Sequence, residues 1–416
     1  MSRVDRPAPR GGAAAVLLAA GLLLAACGGP ENSTGQANNT QQANTGAEEV
    51  PEYEPSPVTV EEQAPEAQVG ELRLPYQLDD RPLLDPTWDT APKSADGVFL
   101  APGDTGGLLT FTAADAEGNI LWQAERPRAC SGFTITHDGE RPLAVLTDID
   151  PEEGTFGSPT ATAYDLRTGD QVWGPVQVPG PHQGPGAVFA APPQEQLGEV
   201  GPRMVLDPAT GDILADESTD GSAHVVGEYR GTVLLADDTH LHAYRHGAET
   251  ADWSLPLQEY GWEAEALHSW DTAGPGGGAA ALVGGESEER VLIDLETGDP
   301  IAEDVRDAAF EVTSGTWIAL GDELTGYDDA GERLFSNSEA QSLQLEGTGG
   351  VLVYLRTAQG QLQAHNAVSG DIAEAYDPDG EGSLAVPFHI TDTGGGIVRS
   401  QGSLLLVPVD AAATAS

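Results

Sequence analysis

Lysine is nearly absent from this chain of 416 residues: Lys93 is the sole one, and together lysine and arginine supply 18 positive charges against 67 from aspartate and glutamate. The formal net charge is −49 at pH 7. Such a surface repels phosphate backbones and excludes nucleic acid as a partner. The same shortage excludes a phosphate-binding loop, because the lysine that loop requires would have to be Lys93, in Pro92-Lys93-Ser94. Cysteine is scarce too, with only Cys27 and Cys130. No Gly-x-Ser-x-Gly elbow occurs, and no Ser or Cys stands in a recognisable nucleophile signature. Apolar runs stop short of the roughly 18 residues that a membrane span needs. Sustained helical periodicity is missing as well, which leaves strands and turns.

The apolar stretch that does stand out is at the start. Arg3, Arg6 and Arg10 form a basic leader, and Ala13 to Ala26 carries no charge and ends in Leu24-Ala25-Ala26-Cys27-Gly28. A basic leader, a short apolar segment and small residues at its end read as a cleaved export signal. No arginine pair is present, so the general secretory route is expected. The Leu-Ala-Ala-Cys ending resembles the bacterial lipobox. That resemblance implies diacylglyceryl transfer to the Cys27 sulfur, cleavage just before it, and a mature protein held to the cell membrane by lipid on its outer side. Loss of residues 1–26 removes three arginines and one aspartate, so −49 becomes −51. With Cys27 lipidated, Cys130 has no intramolecular disulfide partner and reads as a small buried apolar residue. The acidity itself has two readings: a solvated surface, or one that collects divalent cations or basic partners.

From Gly28 to Gly70 there is no lysine or arginine, first in a stretch rich in Asn, Gln, Thr and Gly, then in an acidic, proline-containing one. This composition predicts a disordered tether over residues 27–70, with an r.m.s. span on the order of 35 Å. Beyond it, seven segments share one form: an apolar strand often closed by Asp, a Gly turn, and a second strand. Ala161–Trp173 (ATAYDLRTGDQVW), Arg203–Leu214 (RMVLDPATGDIL) and Val291–Ile301 (VLIDLETGDPI) are clear copies. The turn glycines are Gly118, Gly169, Gly211, Gly247, Gly298, Gly331 and Gly370, separated by 33 to 51 residues. That is one supersecondary unit per repeat. The Asp-x-x-Thr-Gly form puts glycine where a tight turn needs positive φ, and lets Asp and Thr bond nearby backbone. Another apolar strand precedes each copy, among them Leu143–Thr147, Thr232–Ala236 and Thr316–Leu320.

Tyr164-Asp165-Leu166-Arg167-Thr168-Gly169 followed by Trp173 is similar to the repeat of pyrroloquinoline-quinone-type propellers. The resemblance implies an all-β propeller of four-stranded antiparallel blades over residues 71–411, with a short tail at 412–416. It implies that Trp122, Trp173 and Phe335, each four residues after a turn glycine, pack between neighbouring blades. Eight blades are favoured over seven, because Ile397–Ser400 and Ser403–Asp410 read as strands of a further unit. Glu71–Leu78 would supply that unit's missing strand and close the ring without an exposed edge. Enzymes of that family hold quinone and calcium in the central channel, many beside a disulfide of adjacent cysteines. No adjacent cysteines and no basic cluster for quinone carboxylates occur here, so pyrroloquinoline quinone is not expected and the non-enzymatic scaffolds of the cell envelope are the nearer analogy.

Three further groups of residues are candidates for chemistry. His240 and His242 share one face of a strand, a geometry that binds zinc or copper, although other repeat copies carry ordinary strand residues there. Asp377, Asp379 and Glu381 imitate the opening of a calcium loop; the twelfth position is Phe388 rather than a bidentate Glu. Asp148-Ile149-Asp150 opens a second acidic loop of this kind. Trp262, Trp270 and His268 lie in a long insertion between the fourth and fifth turn glycines, either as a recognition loop or as blade packing. The sequence thus predicts a lipid-anchored, non-enzymatic propeller without a resident cofactor, binding an envelope protein or cell-wall component through one face. A quinone- or metal-dependent oxidoreductase and a ligand-sensing domain are the alternatives.

Overall fold

A computed structural model describes residues 52–150, 157–192, 201–219, 223–245, 248–272, 279–285, 289–338 and 342–409. Cys27, Gly247, residues 1–26 with their expected export signal, and residues 412–416 lie outside the described residues. Apart from two short 3-10 turns, the elements are strands, as the missing helical period requires. They fall into consecutive antiparallel groups, each a meander. The first contains Lys93–Ala95, Val98–Thr105, Leu108–Asp115 and Asn119–Pro127. The second contains Phe133–His137, Pro142–Asp150, Ser158–Asp165 and Gln171–Gln177. In the third, Val188–Ala190, Arg203–Leu206 and Ile213–Asp216 pair in that order, and an isolated bridge adds His182 beside Phe189. Further groups start at His224, His268, Asp307, Gln344 and Val386, the last two joined through a parallel bridge from Thr348 to His389.

The strands expected ahead of each repeat turn are present: Pro142–Asp150, Thr232–Ala236 and Thr316–Leu320 are second strands of their groups. The turns work as their residues dictate. The Asp165 carboxylate accepts the Arg167 and Thr168 N–H groups at 2.9 Å, and the Gly169 N–H donates to the Asp165 carbonyl at 2.9 Å. Gly169 sits at φ +75°, where a Cβ would be strained. The same carboxylate-to-backbone pattern recurs at Asp294, and Asn366 reproduces it with its side-chain oxygen.

The packing between groups follows from the aromatic residues. The Trp122 Nε1–H donates to the Leu166 carbonyl at 2.8 Å, and that of Trp173 to Pro208 at 2.7 Å. In each case the acceptor belongs to the turn of the following group. A Cβ on Gly169 would come within 3.0 Å of the Trp122 ring, and one on Gly211 within 2.8 Å of Trp173. Phe335 covers Gly370 in the same way. Trp253 repeats the arrangement on Gly298 and the Leu295 carbonyl, although its spacing differs from the other copies. The core is therefore divided into wedges between neighbours. Trp122 and Phe111 meet Leu146 and Leu166; Trp173 meets Phe189 and Leu206; Leu241 meets Ile293. A last wedge joins Ile397 and Leu406 to Phe99 and Ala114, so the final group packs against the first.

Two segments differ from the sequence expectation. Composition predicts a disordered tether over residues 27–70, yet Val58–Gln63 is an ordered strand on the outer edge of the first group, paired with Asn119–Pro127. Composition gave no warning because an edge strand needs little apolar burial: it needs main-chain ladder partners and anchors. The anchors are Tyr53, whose hydroxyl donates to Asp148 at 2.9 Å, and the Pro55 carbonyl, which accepts from Arg126 at 2.5 Å. The strand that completes the last group is not Glu71–Leu78. Leu84 instead exchanges both backbone hydrogen bonds with Leu406 at 2.9 Å, while Leu72–Arg73 pairs in parallel with Ser383–Leu384.

Candidate functional site

The innermost strands and their turns surround one central cavity of about 960 Å³, lined by residues from every strand group except the one starting at Gln344. Its wall carries two kinds of carboxylate. Glu228 is fully buried and accepts three hydrogen bonds: from the Thr136 hydroxyl at 2.7 Å, the Gly231 N–H at 2.6 Å and the Ala187 N–H at 2.9 Å. It ties the second, third and fourth groups together, and burial pushes its carboxyl above the usual carboxylate range. Glu311, also fully buried, accepts the Ser314 N–H at 2.7 Å and closes its own hairpin. Sequence reasoning missed both. The signal was there: Glu228-Tyr229-Arg230-Gly231-Thr232 and Glu311-Val312-Thr313-Ser314-Gly315-Thr316 each place a Glu just before a hairpin glycine. The second kind faces the cavity. Asp96, Glu117 and Asp392 line it and take part in no ion pair among the described residues.

Two buried histidines join them. His137 ends the innermost strand of the second group, and neither ring nitrogen has a hydrogen-bond partner. Burial, helped by Arg230 and opposed by Asp96 and Asp138, pushes its pKa down to about 4. His389 is likewise pushed down to about 4 by burial, against Glu311 and Asp392. Both are neutral imidazoles at pH 7. Lys93 lines the same cavity and pairs with Asp271 at 2.9 Å, bridging the first group to the fifth. The pair also borders an adjoining space of about 370 Å³, so it stands between the two cavities. Although the Asp271 side chain is 60% exposed, the protein atoms crowded around its carboxyl push it up; the Lys93 charge and hydrogen bond outweigh this and hold the group below its usual range.

The residues singled out from sequence are not gathered here. Trp262 stacks on Tyr260 with ring centroids 4.6 Å apart, over the wedge between the fourth and fifth groups. Trp270 and His268 lie on the innermost strand of the fifth group, His268–Trp270. Trp270 packs against a different wedge, with the Arg290 guanidinium 4.0 Å over its ring. The insertion is thus two 3-10 turns, Leu257–Tyr260 and Ala264–Ala266, followed by a strand. The rings of His240 and His242 do lie together, 5.8 Å apart, but His242 is already engaged by Asp237 at 2.9 Å and Ser254 at 2.7 Å. The hydrogen bond from His242 holds Asp237 below its usual range despite partial burial. Asp377 accepts the Asp379 N–H at 3.0 Å, and its carbonyl accepts from Arg73 at 2.6 Å, the pattern of an ordinary turn; Glu381 follows in that turn. Among the described residues, no group of three or more His, Cys, Asp or Glu side chains is placed to hold a metal ion. Asp148 is bound by Tyr53 and Arg126, and residues 151–154 of its loop lie outside the described residues. Cys130 is buried. No helix among the described residues is long and apolar enough to cross a membrane.

No family model matches this sequence, and no curated protein does. Solved structures do resemble it. BamB from Moraxella catarrhalis is similar at 16% identity and a TM-score of 0.42, over 82% of this chain and 96% of that one. The computationally designed Ika8 protein is similar at 14% identity and a TM-score of 0.42, over 82% of this chain and all of that one. A chain of a Mitotic Checkpoint Complex is similar at 11% identity and a TM-score of 0.36, over 92% of this chain and 99% of that one. At such identities and scores these likenesses carry no inference about what this chain binds.

Proposed function

We propose that this chain is an eight-bladed β-propeller, exported and lipid-anchored through Cys27, that acts without catalysis as a binding or assembly scaffold in the cell envelope. The observation that carries the reading is how the body is held. Apolar wedges join each strand group to the next and the last to the first, which supports a closed ring. The N-terminal segment joins that ring at its rim, through Val58–Gln63 on an outermost edge. The described chain therefore enters on an outer edge, away from the residues that line the central cavity, and loops on a propeller's faces are where binding residues usually sit. The buried carboxylates Glu228 and Glu311 are occupied by hydrogen bonds that hold hairpins and neighbouring groups in place, which is structural work rather than acid–base chemistry.

The test is crosslinking and affinity capture of the full-length protein from its own membranes, with Cys27→Ser as control. The expected result is membrane association lost in Cys27→Ser and an envelope component captured only by the anchored form. Uptake of pyrroloquinoline quinone with calcium in calorimetry, with no captured partner, would overturn the scaffold reading in favour of an oxidoreductase.

A further inference from the structure

Resting on the scaffold reading, we infer that the central cavity receives a lysine- or arginine-rich segment of the partner protein, with Asp271 as its anchoring carboxylate and Lys93 as the resident ammonium that the segment displaces. The charge balance of the wall comes first. Asp96, Asp115, Glu117, Asp271 and Asp392 face the cavity, against Lys93, Arg167 and Arg230. Arg167 is committed to the Asp96 carbonyl, and Lys93 to Asp271. The Asp115 carboxylate accepts from the Asn119 backbone and side-chain N–H groups and from no cation among the described residues. An incoming cation therefore meets an excess of carboxylates in a partly enclosed space, where their field is focused.

Acidity alone would not make a site, since the whole chain is acidic. Two further observations do. The chain's single lysine lies on this wall, its ammonium 2.9 Å from an Asp271 oxygen, with the two side chains 29% and 60% exposed. A pair so exposed is weak and exchangeable, so a second ammonium can take its place. Displacing Lys93 would also join the central cavity to the adjoining one, because both border the same pair. The other observation is His137, which is 8% exposed, lines the cavity and has both ring nitrogens unpartnered. A neutral imidazole left without partners is costly to bury, and its nitrogens, closed off in this arrangement, would gain partners from the N–H and C=O groups of a peptide segment once the ring turns towards the cavity. Phe310 and Phe388 line the same space and offer apolar wall for the aliphatic stems of Lys or Arg.

The experiment titrates full-length protein with a hexalysine peptide, and with hexaglutamate as control, by calorimetry at low and high salt. Hexalysine is expected to bind at one site, more weakly in salt, and hexaglutamate not at all. Asp271→Asn should weaken binding about two- to fivefold, and Lys93→Ala should tighten it by about the same factor, the range an exposed ion pair spans. Arg333→Ala makes the same charge change at an exposed position on an outer strand and should leave affinity unchanged. If Asp271→Asn does not fold, Lys93→Met repeats the test from the other side of the pair. Equal effects of Lys93→Ala and Arg333→Ala, or no hexalysine binding, would overturn the cavity assignment. A partner captured from membranes equally by wild type and Asp271→Asn would overturn it too, while leaving the scaffold reading intact. Absence of any captured partner, with the peptide titration as expected, would overturn the scaffold reading alone.

Discussion

Replacing Trp122 by alanine tests the packing rule on which the ring depends. Trp122 is fully buried, its indole N–H is spent on the Leu166 carbonyl, and its ring covers Gly169 of the next group. Emptying such a site removes the transfer energy of the indole and leaves a cavity that neighbours only partly fill, about 3–5 kcal/mol. The second arm is Gly169→Ala. Its φ of +75° costs an L-residue about 1–2 kcal/mol. Its new Cβ would also stand 3.0 Å from Trp122 and 2.9 Å from Pro57. Gly331 has nearly the same φ, +74°, and open space around it, so Gly331→Ala isolates the backbone contribution. Gly169→Ala should therefore cost more than Gly331→Ala in the wild type. In the Trp122→Ala background part of that excess should disappear, a coupling of about 1 kcal/mol or more. Urea unfolding followed by far-UV circular dichroism measures all five proteins, after coincident probes establish whether the transition is two-state. A cost below about 1 kcal/mol for Trp122→Ala, or equal costs of Gly169→Ala in both backgrounds, would refute the docked-indole account.

Acid should loosen the ring through its buried histidines. His137 and His389 are pushed down to about 4 when folded, against 6.5 unfolded, so the unfolded chain binds their protons more readily. Their contribution is fully present above about pH 6.5 and is lost as pH falls towards 4, up to about 3 kcal/mol for each. Melting temperatures between pH 7 and 4 should show this slope, and an undiminished slope in His137→Leu would count against the histidine as its source. Arg126 gives a local prediction. Its guanidinium is almost completely buried and holds the Pro55 and Thr147 carbonyls beside Asp148. Arg126→Met leaves Asp148 without that charge and should cost about 3–5 kcal/mol. Residues 52–63 should then be cut early in limited proteolysis; continued protection of that segment would show that the strand ladder alone holds it.

Much of this architecture is written locally. The Asp-x-x-Thr-Gly turns, the apolar strands ahead of them and the tryptophans after them depend on residues within one or two dozen positions, and Trp122 and Trp173 occupy the packing place their motif implies. Two surrounding facts were equally legible: the poverty in lysine, and the basic leader and Cys27 ending that ground the anchoring proposal. The rest required chain segments far apart in sequence to meet. Val58–Gln63 looks like tether because its own side chains bury little; the ladder to Asn119–Pro127 makes it a strand, and Arg126 anchors Pro55 beside it. Leu84 closes the last group through Leu406 using backbone hydrogen bonds, which leave no trace in side-chain pattern. Trp262 and Trp270, neighbours in one insertion, are separated into different wedges. Lys93 and Asp271 meet across 178 positions, and Glu228 gathers donors from three groups. Composition and short motifs determine turns, strands and address because those depend on local backbone geometry and partitioning. Which carboxylate meets the only lysine depends on closing the ring, and no local window contains that.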